Sequence, residues 1–238
     1  MNRPRIAVLA SGDGSNLQAL IDHFRALGAG RAADIALVAS NRSNAGALGR
    51  ARAAGIPAAV IAPPHSSSGD VLPALLERHD VGLIVLAGYL QLVPADLTRA
   101  FAGRIVNVHP GPLPAFGGPG MYGARVHRAV LASGVRMSGP TVHFVDELYD
   151  HGATIAHWPV PVMAGDDEQT LTARVLRAEH LLLPRVVHAV ASGALALGRD
   201  GPVALVPFDP SRDDLSLGLL LEQAISRPPS LERTPITY

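Results

Sequence analysis

The sequence predicts a doubly wound α/β domain, built on a mostly parallel sheet with helices on both faces. Three observations carry that expectation. Short runs rich in Val, Ile and Leu recur at 6–10, 35–39, 58–61, 81–86 and 105–108; they are apolar throughout rather than alternating; and segments of helical character separate most of them. Continuous apolar runs mark strands covered on both faces, and their alternation with helices is the βαβ pattern of parallel sheets.

Along the chain, the intervening helices are expected at 17–27, 45–54 and 71–79, with a shorter one at 95–102. After Pro110 the texture changes to a Gly/Pro-rich loop ending near Gly123. A helix around 126–132, strand-like segments at 141–145 and 154–162, and a long helix near 168–192 follow. Beyond 201, Pro202, Pro207, Pro210, Pro228, Pro229 and Pro235 surround one apolar stretch at 215–225. The expected division is a main domain over 1–197 and an extension over 198–238, either a docked helix or a tail.

With 238 residues the chain is long enough for one large domain with a well-buried core. Twenty basic and twenty acidic residues cancel, so no uniform field gathers nucleic acid or anionic membrane. Aromatics are 4% of the chain, too few for a base-stacking platform. The absence of cysteine removes disulfides, thiolate nucleophiles and Cys-based zinc sites. Every Lys/Arg position is arginine, which removes Schiff-base chemistry and a P-loop lysine. No run reaches the roughly 18 apolar residues of a membrane span. These exclusions lead to the expectation of a soluble cytoplasmic protein with no nucleic-acid or membrane partner, its ligands small molecules; a homo-oligomer is compatible with them.

Two places can carry chemistry. Ser11-Gly12-Asp13-Gly14-Ser15-Asn16 lies between the first expected strand and helix, where glycines admit a ligand to the backbone and free amides face a phosphate. It is not a dinucleotide fingerprint, because Leu17 occupies the third glycine position, and the same residues also fit an ordinary turn capped by Ser or Asn. The second place is Asn107-Val108-His109-Pro110, closing the fifth strand. Strand alternation puts Asn107 and His109 on one face, at the carboxyl end where open α/β sheets bind ligands.

A later loop, Asp146-Glu147-Leu148-Tyr149-Asp150-His151-Gly152, supplies carboxylates. Amide, imidazole and carboxylate together suit acyl transfer to an amine: Asn107 and a protonated His109 stabilise a tetrahedral oxyanion while the carboxylate keeps the imidazole charged. A metal shared by His109, His127, His143 and Asp150 is an alternative, although no HExxH or other tight ligand spacing occurs. His143 and His180 otherwise read as packed or capping residues. A non-catalytic phosphometabolite-binding protein is the reading from another class.

Taken in order, SGDGSN at 11–16, LAGYLQLV at 86–93, IVNVHPGPLP at 105–114, TVHFVDELYDHG at 141–152 and RAEH at 177–180 resemble the phosphoribosylglycinamide formyltransferase family over roughly residues 5–197. The resemblance implies a Rossmann-like formyltransferase fold, and transfer of a formyl group from 10-formyltetrahydrofolate to the amine of glycinamide ribonucleotide in purine synthesis. It also implies that Asn107, His109 and Asp150 form the catalytic set, with Asp150 preferred to Asp146 for lying seven residues beyond His143. Gly14, Ser15 and Asn16 would hold the phosphate and Glu179 the ribose side. Leu90, Gln91, Leu92 and Val93, with the backbone from Asp146, would take the pterin, and no metal is called for. Relatives include formyltetrahydrofolate hydrolases, which deliver the formyl group to water. Departures are Gln91, where many members carry arginine, a 65–70 segment with no arginine for the folate glutamate tail, and a longer Gly-rich loop at 116–123.

Overall fold

In the computed structural model, residues 3–61, 71–198 and 201–204 are described. The chain runs β1 (Arg5–Leu9), α1 (Ser15–Leu27), β2 (Asp34–Ser40), α2 (Gly46–Ala53), β3 (Ala58–Val60), α3 (Val71–Arg78), β4 (Leu83–Leu86), α4 (Ala95–Ala100) and β5 (Ile105–His109). It continues through α5 (Ala124–Ser133), β6 (Met137–Ser138), β7 (Thr141–Phe144), β8 (Thr154–His157), β9 (Val160–Pro161), α6 (Glu168–Ala191), β10 (Leu195–Gly198) and β11 (Gly201–Ala204). Seven strands form one sheet in the order β3-β2-β1-β4-β5-β7-β8. The first five are parallel, and β7 and β8 each join antiparallel to the preceding neighbour.

Strand alternation sorts the core into two layers. Ile6 and Val8 of β1 face Leu17, Leu20 and Phe24 of α1 and Leu182, Leu183 and Val186 of α6. Ala7 and Leu9 face the other way, toward Leu76 of α3 and Leu97 of α4. Each fully buried Leu, Ile or Phe stabilises the fold by roughly 1.5–3 kcal/mol, so these continuous apolar strands need cover on both sides. A third cluster holds α5 on α6 through Val126, Val130, Leu171 and Val175. The long helix α6 starts at a capping box in which the Asp167 side chain accepts from the Thr170 amide at 2.8 Å and Thr170 answers at the Asp167 amide.

Two details depart from the sequence expectation. The segment 154–162 is two strands, because the chain leaves the main sheet after His157 and Val160–Pro161 pairs with Met137–Ser138 instead. The junction expected after Leu197 falls inside an antiparallel hairpin, in which Leu197 pairs in register with Pro202. The stretch at 215–225 and the 65–70 segment lie outside the described residues.

Strand order fixes where a ligand can sit. From β1 the chain winds outward to β3, then crosses back to β4 and winds the other way, so the loops leaving β1 and β4 part company between those two strands. They are tied there: the Ser11 amide donates to Gly88 O at 3.0 Å, and the Leu90 amide donates to Ser11 Oγ at 3.0 Å.

Candidate active site

A cavity of about 540 Å³ opens at this switch point. Its walls come from the loops after β1, β4 and β5, the 118–123 loop, and α5 and α6. Asn107, His109, Asp150, Asn16, Glu179 and Leu90 all line it.

The β5 residues reach it as the period-two rule requires. Asn107 and His109 share the face of Ile105, while Val106 and Val108 point into the opposite layer. Asp150 arrives by a less obvious route. Because β7 runs against β5, pairing Asn107 with His143 and Val106 with Phe144, the exit of β7 lies away from the His109 end. The 145–153 loop therefore turns back over the sheet. Two backbone features permit this: Asp150 adopts φ 51°, in the left-handed region, and Gly152 lies so close to Phe144 O that a Cβ would stand 2.0 Å from it.

The three groups then meet. His109 Nδ1 lies 3.3 Å from Asp150 Oδ2, and its Nε2 lies 2.8 Å from Phe116 O. Carboxylate and carbonyl oxygens only accept, so the pair of partners suits an imidazole protonated on both nitrogens. Asp150 Oδ2 also accepts from the Gly118 amide at 3.0 Å. Burial alone pushes the Asp150 carboxyl up, but the hydrogen bond from His109, the His109 charge and the Gly118 amide outweigh it and hold the group well below the usual carboxylate range. It is the anion in this cluster.

Asn107 is fixed by a residue that the sequence reading treated as merely packed. His143 Nδ1 lies 2.7 Å from Phe144 O, which assigns its hydrogen there and leaves Nε2 to accept from Asn107 Nδ2 at 3.0 Å. The same amide nitrogen lies 3.4 Å from Asp150 Oδ1. No local pattern separates such a histidine from an ordinary core one. The register partner of Asn107 was the available clue, and it needs β5 and β7 to be paired first.

On the opposite wall, Asn16 Nδ2 donates to Glu179 Oε2 at 2.6 Å. Burial pushes the Glu179 carboxyl up to about 7, against the Asn16 hydrogen bond and the His109 charge. Arg42, Met121 and Thr172, which no sequence motif marks, also line the cavity, as does His127, marked in sequence only as a possible metal ligand.

Gly14 and Ser15 are not among the lining residues. Gly14 has φ 82° at the N-cap of α1, and a Cβ there would meet Ala47 Cα at 2.6 Å, so close packing of α2 explains this glycine. No side chain caps α1, which sets aside the capped-turn alternative and leaves its first-turn amides without a side-chain acceptor beside Gly12 and Asn16. Gln91, Leu92 and Val93 line a smaller notch of about 50 Å³ facing Leu148, Tyr149 and Asp150. Asp146 turns away into its own loop, bonded to His151 Nδ1 at 2.5 Å and the Leu148 amide at 2.9 Å. Among the described residues no group of three or more His, Asp or Glu is placed to hold a metal ion, so the shared-metal alternative has no structural counterpart.

An amide, an imidazole and a carboxylate around one cavity, at the strand ends of a mostly parallel doubly wound sheet, define an α/β enzyme of the group-transfer class. Residues 4–187 match the formyl transferase family, and the chain belongs to that family. A protein of Vigna unguiculata named phosphoribosylglycinamide formyltransferase, chloroplastic, is 40% identical over 218 residues, covering 90% of this chain and 68% of its own. A crystal structure of glycinamide ribonucleotide transformylase 1 from Symbiobacterium toebii superposes with TM-score 0.78 at 37% identity, covering 86% of this chain and 95% of that one. A phosphoribosylglycinamide formyltransferase structure from Anaplasma phagocytophilum gives TM-score 0.78 at 32% identity, with the same coverage of 86% and 95%. No described helix is long and apolar enough to cross a membrane.

Proposed function

We propose that this formyl transferase moves the formyl group of 10-formyltetrahydrofolate onto the amine of glycinamide ribonucleotide. The observation that carries the reading is the meeting of Asn107, His109 and Asp150 at one end of a cavity whose other end is the open N-terminus of α1. Relatives that bear this activity by name match nearly the whole described chain.

The chemistry follows from the geometry. The amine attacks the formyl carbon, a new C–N bond forms, and the carbonyl π pair moves onto oxygen. His109, its ring nitrogens fixed on Asp150 and Phe116 O, offsets that developing charge in its protonated form without having to reorient. Asn107 lines the same wall with its amide nitrogen tied to His143, a fixed dipole beside the reacting carbon. Collapse of the oxyanion breaks the bond to N10 of the folate. The proton lost by the attacking nitrogen reaches N10 through the His109–Asp150 pair, and tetrahydrofolate leaves.

In this reading the substrate phosphate rests at the α1 amides formed by Gly14, Ser15 and Asn16, and Glu179 faces the sugar. The folate ring enters along Leu90, Gln91, Leu92 and Val93 and the 145–153 loop. Catalysis is assigned to the domain built on the seven-stranded sheet, acting on small molecules in the cytoplasm; cell fractionation checks the compartment.

The test is an assay with both substrates, following formyl-glycinamide ribonucleotide and tetrahydrofolate separately. Equal amounts of the two products are expected. Tetrahydrofolate accompanied by free formate would show water as the acceptor and replace the reading with hydrolysis.

A further inference from the structure

His127 sits in the first turns of α5 and is 2% exposed. The residue lines the cavity, and its Nδ1 is buried with no hydrogen-bond partner among the described residues. A buried polar atom left unmade is costly, so an unpaired nitrogen on a cavity-lining side chain calls for a partner that a bound ligand can supply. Burial lowers the affinity of this imidazole for a proton and the nearby His109 charge lowers it further, against an opposing pull from Glu168. The ring is therefore neutral, with one nitrogen that donates and one that accepts.

The neighbouring wall is of the same character. Thr172, Leu176 and Glu179 all line the cavity from α6, at spacings of four and three that share one helix face. The Thr172 hydroxyl gives its hydrogen to Glu168 O at 2.6 Å and keeps lone pairs to accept, Glu179 is a carboxyl whose protonated form burial favours, and His127 is an imidazole that burial biases toward its neutral form. A wall that offers both donors and acceptors matches hydroxyls, which do both. Anions are better served elsewhere on the wall, by Arg42 and the α1 amides. Their surroundings point the same way. Glu179 is bonded to Asn16 on the α1 side, and both Glu179 and His127 feel the charge of His109. A sugar joined to a phosphate on one side and to the reactive amine on the other would lie against both.

We propose that His127 is a specificity-determining residue, its ring nitrogen hydrogen-bonding a ribose hydroxyl of the ribonucleotide substrate. This rests on the function proposed above and adds a residue to it.

Three variants separate the roles. His127→Leu removes both ring nitrogens, His127→Asn keeps a polar atom near the Nδ1 position, and His127→Gln keeps one near Nε2. For His127→Leu, KM for glycinamide ribonucleotide should rise about tenfold or more, with kcat within about threefold and KM for the formyl donor unchanged. His127→Asn should recover most of the loss and His127→Gln should not. An unchanged KM, or equal behaviour of the Asn and Gln variants, would overturn the proposal. So would a rise confined to the donor KM, or a fall in kcat with a shifted pH profile, which would indicate proton transfer. Thermal melts identify any variant that fails to fold, and the Asn and Gln pair keeps the comparison decisive in that event. Ribose 5-phosphate titrated calorimetrically into wild type and His127→Asn and His127→Gln proteins tests the contact without catalysis. No binding by wild type, or equal affinity for all three, would overturn it, whereas an inactive wild type that still discriminates would count against the proposed reaction alone.

Discussion

The two ends of the cavity treat their polar atoms in opposite ways. At the β5–β7 end the imidazole, carboxylate and amide bond to one another, to His143 and to the 116–118 backbone. At the α1–α5–α6 end the Asn16 Oδ1 and His127 Nδ1 atoms are buried without partners among the described residues, and Glu179 is pushed toward its neutral form. The difference follows from the two tasks. Groups that answer charge developing in a transition state work best when already fixed, because reorganising them would add to the barrier. Groups that hold a substrate must keep bonding capacity for it, and an unsatisfied wall also discriminates against ligands that leave it unsatisfied.

The largest effect should come from loosening the fixed end. Asp150→Asn keeps the shape but removes the anion, and kcat should fall by about 10²- to 10⁴-fold with little change in KM for the ribonucleotide. A variant within threefold of wild type would break the comparison. The same residue gives a stability signature. Its folded pKa lies below the unfolded one, so its stabilising contribution is present above the usual carboxylate range and lost as pH falls through the depressed value. Melting curves of wild type and Asp150→Asn should therefore converge in acid.

Next, Asn107→Ala should lower kcat by about 10²- to 10³-fold, the usual cost of removing one fixed dipole from a reacting carbonyl. His143→Ala sharpens this: it leaves Asn107 in place but frees its amide, and a smaller loss in kcat without a change in KM is expected.

The open end should respond in stability rather than turnover. Glu179 has a folded pKa of about 7 against an ordinary 4.5, so its buried carboxyl is at its best below 4.5 and loses ground as pH rises to 7. Glu179→Gln should gain on wild type through that window by up to roughly 3 kcal/mol and hold a constant advantage above it, measured by melting temperature against pH. A difference independent of pH would show that the carboxyl titrates normally. Smallest, Gly14→Ala should cost about 1–3 kcal/mol, through the left-handed backbone and contact with Ala47, with the loss read in denaturant midpoints.

Local signals explain what could be read from the chain alone. β1, β2, β4 and β5 are continuous apolar runs, and Asn107 and His109 are two residues apart in one of them, so both strand and face follow from composition and period. The two-residue strands β6 and β9 are too short to carry a period, and Leu195–Gly198 becomes a strand only by pairing with Gly201–Ala204. Asp150 was placed by resemblance, since the return of its loop depends on an antiparallel register invisible in local pattern. His127 and Gly14 show what local pattern does not carry. A helical histidine gives no sign of its orphaned nitrogen, and the loop sequence does not show that a Cβ at Gly14 would collide with Ala47.

The reversed direction of β7 has one more consequence. Inside a β–α crossover, a loop is hemmed in by the helix it must start and by the strands beside it. The turn bearing Asp150 instead belongs to an edge hairpin with β8, so residues can be added to or taken from it while the five parallel strands keep their register. Evolution or design can reshape the entrance for a different acyl donor by editing this hairpin, provided the aspartate still lands beside Asn107.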